Sequence, residues 1–329
     1  MSNIVRESAL QQWLSNSLSM GLPQLTMISG DASFRRYFRF DYDLSTTAIA
    51  VDAPPLTEKN QQFVDLASAL SRHQLPVPKI LAADLKQGFM AIEDLGTTML
   101  EDCLSLDSAD KYYRQALDLI VQLQALKPSE LPSLEYFDQT FIQRELDIFA
   151  EWFVAKELQL SGTEWQAAAQ WQSLCEELSV AIQEQPYVAM HRDFHCRNLM
   201  LHQQQMVMID FQDMVLGPLS YDVVSLLRDC YIAWPEEMVQ HLSQSFFSRL
   251  SINQDISMAQ WQRWFDLTGL QRHLKALGIF CRLAHRDGKQ GYREAIPQTL
   301  DYIQRVSATY SEFSAFNQWL APIAKGFHR

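Results

Sequence analysis

The sequence predicts a two-lobed α+β fold, with a small antiparallel β lobe over residues 1–95 and a larger, mainly helical lobe over residues 96–329. Three observations carry this prediction. Between residues 22 and 95 the apolar residues come in short alternating runs (LTMI, SFRRYFRFDY, TTAIAVD, KILAADL, GFMAIEDLG) separated by Gly, Asp and Pro. Beyond Gly96 they recur at helical spacing, near residues 107–126, 137–159, 163–184, 219–232, 236–250 and 257–286. The helical half is interrupted once, by YVAMHRDFHCRNLMLHQQQMVMIDFQD, which reads as two or three short strands presenting loops.

In the first lobe, residues 58–72 carry Phe63, Leu66, Ala67 and Leu70 on one helical face, and Pro76 and Pro78 stop the helix. One helix on about five strands follows from this pattern. No Pro/Gly-rich linker separates the lobes, so they are expected to meet near residues 94–98, with a cleft between them as the ligand site. The composition, 47% hydrophobic and 20% charged, is that of a folded soluble protein. A net charge of −12 disfavours nucleic acid as a partner outside any local basic patch. No stretch reaches 18 apolar residues without a charge, and the N-terminus lacks the apolar core of a signal peptide, so no membrane span or export is expected. The five cysteines are far apart and form no CxxC pair, which fits reduced thiols in a cytoplasm rather than disulfides or zinc.

The central interruption holds the densest set of reactive residues: His191, Arg192 and Asp193 in a row, Asn198 five residues later, and Asp210 after the apolar run MVMI. Phosphoryl transfer to a hydroxyl needs a carboxylate that orients or deprotonates the acceptor, and oxygen ligands that hold Mg2+ against nucleotide phosphates. Here Asp193 is expected to face the acceptor hydroxyl, while Asn198 and Asp210 offer their oxygens to magnesium. The structural alternative is a chance triplet whose aspartates only cap turns. The interval to Asn198, the strand before Asp210 and the order of the lobes together favour phosphoryl transfer. His195 is expected to pack the loop or touch substrate, because its spacing to Cys196 and His202 does not suit a metal.

Together with SGDASFRRYFRF (29–40), VDAPP (51–55), IDFQDMVLGPLSYDVVSLLRDCYIAWP (209–235) and LQRHLKALGIFCRLAHRDGK (270–289), the stretch HRDFHCRNLM (191–200) resembles the aminoglycoside phosphotransferase and choline kinase superfamily. Within it, the chain most resembles bacterial kinases that phosphorylate N-acetylmuramate and N-acetylglucosamine at C1 in cell-wall recycling. The resemblance covers most of the chain and implies a protein-kinase-like fold, ATP and Mg2+ as cofactors, and an amino sugar as small-molecule partner. It also implies supporting roles for His191, Arg192 and Asp222, the last bracing the catalytic loop through Arg192 or through backbone N–H groups. An aspartate that only stabilises its own helix start is the alternative for Asp222, and Ser220 reads as the cap of that helix.

The sequence departs from the kinase pattern in one respect. Many kinases pair a strand lysine with a helix glutamate to grip the phosphates. Here the third strand has Asp52 and no lysine, and the following helix has Glu58 only at its start, with Gln61 and Asp65 in the middle. Both members of the pair are therefore expected to be missing. Ser33, in a turn resembling the loop that covers the nucleotide, and Arg35 and Arg36 after it are the candidate phosphate contacts, with Glu93 as a further cofactor contact. The alternative is that these arginines coat a solvated strand. A nucleotide-binding pseudokinase is the corresponding functional alternative.

On the acceptor side, Arg272, Lys275, Arg282, Arg286 and Lys289 fall within an arc of about 100° on one helix. This is either a solvated face or a wall that recognises an anion, with Arg282 and Arg286 as the substrate contacts. Gln212 and Asp213 are candidates for contacts to sugar hydroxyls. Aminoglycoside and choline-type acceptors, which are cationic, remain the alternative substrates.

Overall fold

Alternation of apolar and polar residues in the N-terminal third produces the expected antiparallel sheet. The computed structural model describes residues 3–28, 35–250 and 255–327. In chain order it begins with α1 (Asn3–Ser17), β1 (Thr26–Ile28), β2 (Arg36–Asp41), β3 (Thr47–Asp52), α2 (Asn60–Arg72), β4 (Ile80–Asp84), β5 (Phe89–Glu93) and α3 (Leu100–Cys103). Next come α4 (Ala109–Gln124) and α5 (Gln139–Ile148), which runs on into a wide-turned π-helical stretch at Phe149–Glu157, then α6 (Gly162–Ala167) and α7 (Ala169–Gln183). The central segment supplies β6 (Tyr187–Met190), β7 (Leu199–His202), β8 (Gln205–Met208) and β9 (Val215–Pro218). The chain ends with α8 (Tyr221–Leu227), α9 (Glu236–Ser248), α10 (Met258–Arg286), α11 (Ile296–Thr309) and α12 (Ser314–Phe327).

The chain divides into two compact units. The first comprises Met1–Cys103, Ser129–Ser133 and Arg197–Asp213; the second comprises Leu104–Pro128, Leu134–Cys196 and Met214–Arg329. The boundary expected near residue 95 thus moves to Cys103. The β7–β8 hairpin also joins the N-terminal unit, because the backbone of Leu201 bonds to Thr98 and that of Met208 to Pro76.

In the first unit the sheet runs in the order β1-β2-β3-β5-β4, with every neighbour antiparallel. Phe38, Phe40, Ala48, Ala50, Phe89 and Ala91 bury one face under Leu10 and Leu14 of α1. Helix α1 leaves little trace in the sequence, because its apolar residues are too sparse to mark a continuous face. The register pairs Arg36 with Asp52, and those two side chains form an ion pair that Arg6 of α1 joins. The β7–β8 hairpin turns at Gln203 and Gln204, which have φ of +49° and +66°, as a two-residue turn of type I′ requires.

In the second unit α10 is a central helix, buried along most of the span from Trp261 to Ala284, with α5, α7, α8 and α11 packed on it. The expected basic stripe is thus partly internal: Arg272 and Lys275 are each only 5% exposed. Helices α11 and α12 extend the helical core beyond the stretches expected from periodicity. Gly278 marks the closest approach of α10 to α5. A Cβ at this position would lie 2.5 Å from the Ile148 carbonyl oxygen and 2.8 Å from the Phe149 nitrogen, both backbone atoms that cannot swing aside.

Gly278→Ala is accordingly expected to destabilise the protein by about 1–3 kcal/mol, the usual cost of overpacking a fixed core. The urea midpoint checks this, and an unchanged midpoint would mean that the two helices separate freely.

Candidate active site

In the second unit, β6 delivers the chain into the segment 191–196, and α8 holds that segment from below. Asp222, fully buried on α8, accepts hydrogen bonds from the backbone N–H of His191 at 2.7 Å and of Arg192 at 2.9 Å. Of the two bracing modes expected for Asp222, the backbone mode is the one present. Asp229, also buried, accepts from the Cys196 N–H at 3.0 Å and so ties down the other end of the segment. Between these clips Arg192 adopts φ +80°, a left-handed conformation that non-glycine residues avoid unless their surroundings impose it. Ser220 does not cap α8 as expected. Its hydroxyl turns inward to Gln185 and Thr268 because it is wholly buried and those groups are its nearest partners.

The Arg192 guanidinium donates to Glu145 of α5 at 2.9 and 3.2 Å, and lies over the Phe141 ring. Glu145, 2% exposed, also accepts from the Gln271 amide at 3.0 Å and lies 3.5 Å from Lys275 Nζ. The same ammonium is 3.6 Å from Asp193. Burial by itself would raise the Asp193 carboxyl, but the charges of Lys275, Arg192 and Arg272 outweigh it and hold the group well below the usual carboxylate range. Burial likewise opposes ionisation of Glu145, and Lys275 and Arg192 overcome it. Burial pushes Asp222 up to about 6 despite its two backbone bonds. His195 is held below its ordinary value, chiefly by burial, and is neutral at pH 7; its ring packs edge-on against Tyr231. His191 is buried against Phe194.

The first unit carries the oxygen donors. Asn198 precedes β7 and Asp210 lies two residues beyond β8, and the Ile209 N–H bonds to the Asn198 carbonyl at 3.0 Å, so the hairpin brings its two ends together. Asp210 has φ +62°, a second left-handed non-glycine residue. Gln212 donates to the Asp210 carboxylate at 2.7 Å, which fixes that carboxylate. Phe211 stacks on Phe63 of α2, with centroids 4.9 Å apart. An amide oxygen and an exposed carboxylate on one hairpin form a hard-donor set of the kind Mg2+ takes.

An Arg–Glu pair stands in this unit where the sequence led us to expect none. Arg35, 4% exposed, pairs with Glu58 at 2.8 Å and lies over the Phe63 ring. The sequence concealed the pair because Arg35 precedes β2 and Glu58 precedes α2, outside the strand and helix interiors where such a pair is sought. The Tyr37 hydroxyl is raised above its ordinary value, chiefly by burial, with the Arg35 charge lowering it and the Asp210 charge raising it. Arg36 is engaged with Asp52. Glu93, at the end of β5, accepts from the Lys79 backbone N–H at 3.2 Å. Asp213 pairs with Lys59 at 2.7 Å. Ser33 lies outside the described residues.

Arg282 and Arg286 are not gathered with Asp193. Arg286 is exposed and bonded to its neighbour Asp287, and it lies about 16 Å along α10 from Lys275 at 1.5 Å per residue. Glu145, Gln271, Lys275 and Asp229 are the members of the site that residue patterns did not single out as site residues. Lys275, with Arg272, had left a signal as part of the basic stripe.

Comparison with known proteins agrees with this geometry. The family model described as "Phosphotransferase enzyme family" matches residues 24–257. A Pseudomonas aeruginosa protein named N-acetylmuramate/N-acetylglucosamine kinase is 34% identical over 99% of this chain and 99% of its own length. A Neisseria meningitidis protein of the same name is 36% identical over 94% and 93%. Among solved structures, a Plasmodium vivax ethanolamine kinase (TM-score 0.64, 11% identity, 90% of this chain and 87% of that one) and a choline/ethanolamine kinase family protein from Mesorhizobium loti (TM-score 0.64, 14% identity, 96% and 99%) share the fold. The fold is thus protein-kinase-like, and the chain belongs to the phosphotransferase enzyme family.

Proposed function

We propose that the protein is an ATP- and Mg2+-dependent kinase that phosphorylates the C1 hydroxyl of N-acetylmuramate or N-acetylglucosamine in the cytoplasm. The observation that carries the reading is Asp193: a carboxylate held ionised at a strained, clipped loop, with 39% of its side-chain surface exposed so that a hydroxyl can reach it. The substrate class rests on the names of relatives that match nearly the whole chain. Arg272 and Lys275, two buried cations near Asp193, make the acceptor side better suited to a neutral or anionic sugar than to a cationic drug or choline. Five free cysteines fit a reducing compartment.

A carboxylate of such low basicity does not strip a hydroxyl early. It accepts the hydroxyl hydrogen bond, aims the oxygen, and takes the proton as the new bond makes that oxygen acidic. In balance, the acceptor O–H breaks and its proton passes to Asp193. The acceptor oxygen bonds to the γ-phosphorus, and the bond to the bridging oxygen breaks with its electron pair leaving on ADP. Asn198 and Asp210 would hold Mg2+, which when bound neutralises phosphate charge. Arg35, anchored by Glu58, takes the place of the usual strand lysine toward the nucleotide, while Arg36 serves the sheet through Asp52.

The test is ADP release with Mg2+ and ATP against N-acetylmuramate, N-acetylglucosamine, kanamycin and choline, followed by phosphorus NMR of the product. An anomeric phosphate formed only with the sugars is the expected result. ADP formed only with kanamycin or choline would overturn the substrate assignment, and nucleotide binding without turnover would point to a pseudokinase. Asp193→Asn is expected to lower kcat by about 10²–10⁴-fold with nucleotide affinity, measured by equilibrium titration, nearly unchanged. Lost nucleotide binding in a folded variant would contradict the assigned role.

Stability should report the same carboxylate. A group whose folded pKa is depressed contributes stability above its ordinary range, about pH 4 for aspartate, and loses it as pH falls toward the folded value. The urea midpoint of the wild type is therefore expected to fall more steeply between pH 5 and pH 3, roughly the onset of that loss, than that of Asp193→Asn. Parallel curves would show that Asp193 is not held ionised by its neighbours.

A further inference from the structure

Two carboxylates in the second unit claim one ammonium. Lys275 extends from α10 with 7% of its side chain exposed, and its Nζ stands 3.5 Å from Glu145 and 3.6 Å from Asp193. Glu145 has other partners beside it: the Arg192 guanidinium donates to it twice, and Gln271 once. Around Asp193 the charges are arranged differently. Arg192 turns its guanidinium to Glu145, burial keeps His195 neutral, and Arg272 directs Nη1 toward Cys230 at 3.9 Å. On α8, Tyr221 and Asp222 lie near Asp193 without supplying a cation. Lys275 thus stands between two carboxylates, and Glu145 holds the Arg192 guanidinium as well.

We infer that Lys275 is a positioning residue for phosphoryl transfer, its ammonium shared between Glu145 and Asp193 so as to hold the Asp193 carboxylate in the orientation that receives the acceptor hydroxyl. The inference rests on the reading that Asp193 aligns that hydroxyl. At 3.6 Å the ammonium lies beyond the roughly 2.7–3.2 Å of a direct hydrogen bond, so it steers the carboxylate by charge. Being buried, it does so with little screening by salt. Glu145 anchors the other side of the ammonium, so its charge is fixed before substrate arrives and needs no reorganisation during the reaction.

The competing explanation is that Lys275 only neutralises buried Glu145, and a paired substitution separates the two. Lys275→Met removes the charge at similar length, and Lys275→Met combined with Glu145→Gln removes both charges and restores the local balance. Lys275→Met is expected to lower kcat about tenfold or more while the KM for ATP moves less than about threefold, and Lys275→Arg recovers part of the loss. The double variant is expected to melt with the wild type and to remain as slow as Lys275→Met. A double variant with wild-type turnover would overturn the inference and leave Lys275 a structural counterion. If Lys275→Met does not fold, the double variant is compared with Glu145→Gln alone, which keeps the ammonium: a Glu145→Gln as slow as the double variant would overturn the inference. A wild type silent with every acceptor overturns the proposed reaction and this inference together, whereas an active wild type matched by the double variant overturns only the inference.

Discussion

Two peptide N–H groups, those of His191 and Arg192, converge on the one buried carboxylate of Asp222, and the segment that carries Asp193 depends on that convergence. The left-handed backbone at Arg192 costs on the order of 1–3 kcal/mol. Hydrogen bonds to an ionised acceptor are strong enough to offset that cost. With the backbone so turned, the Arg192 side chain runs to Glu145 and Asp193 is presented half-exposed. Asp229 secures the far end through Cys196, so the segment is fixed at both ends by side chains of a single region of chain.

The charges around that loop come from separate elements: Glu145 from α5, Asp222 from α8, Arg272 and Lys275 from α10. Buried ions are tolerated only when paired, and removing one partner leaves the other uncompensated. The arrangement therefore couples the placement of three helices to the protonation state of one carboxylate. In the N-terminal unit the logic repeats on a smaller scale, with Asp52 held by Arg6 and Arg36, and Arg35 by Glu58.

Much of this was legible in residue order. Alternation from residues 36 to 52 located β2 and β3, and the triplet ending in Asp193, with Asn198 and Asp210 at their intervals, stood out as the candidate reactive set because those residues are close in sequence. What stayed hidden was contact at long range. Glu145 lies 47 residues from Arg192, and nothing in QRELD distinguishes a buried glutamate from an exposed one. Lys275 and Arg272 looked like a surface stripe because helical periodicity reports which side chains share a face, not what that face meets. Arg282 and Arg286 shared the arc with them but not the depth. The Arg35–Glu58 pair was missed for a related reason, since both residues sit just outside regular elements and only the fold brings them together.

Gly278 and Lys275 are three residues apart on α10, and Ile148 and Glu145 are three apart on α5, so each helix turns the same face to the other. The missing side chain at 278 lets the two backbones close up, and one turn away that same closeness determines how far an ammonium stands from a carboxylate. A side chain at position 278 would press on the helix that carries Glu145, one turn from the Lys275 ammonium.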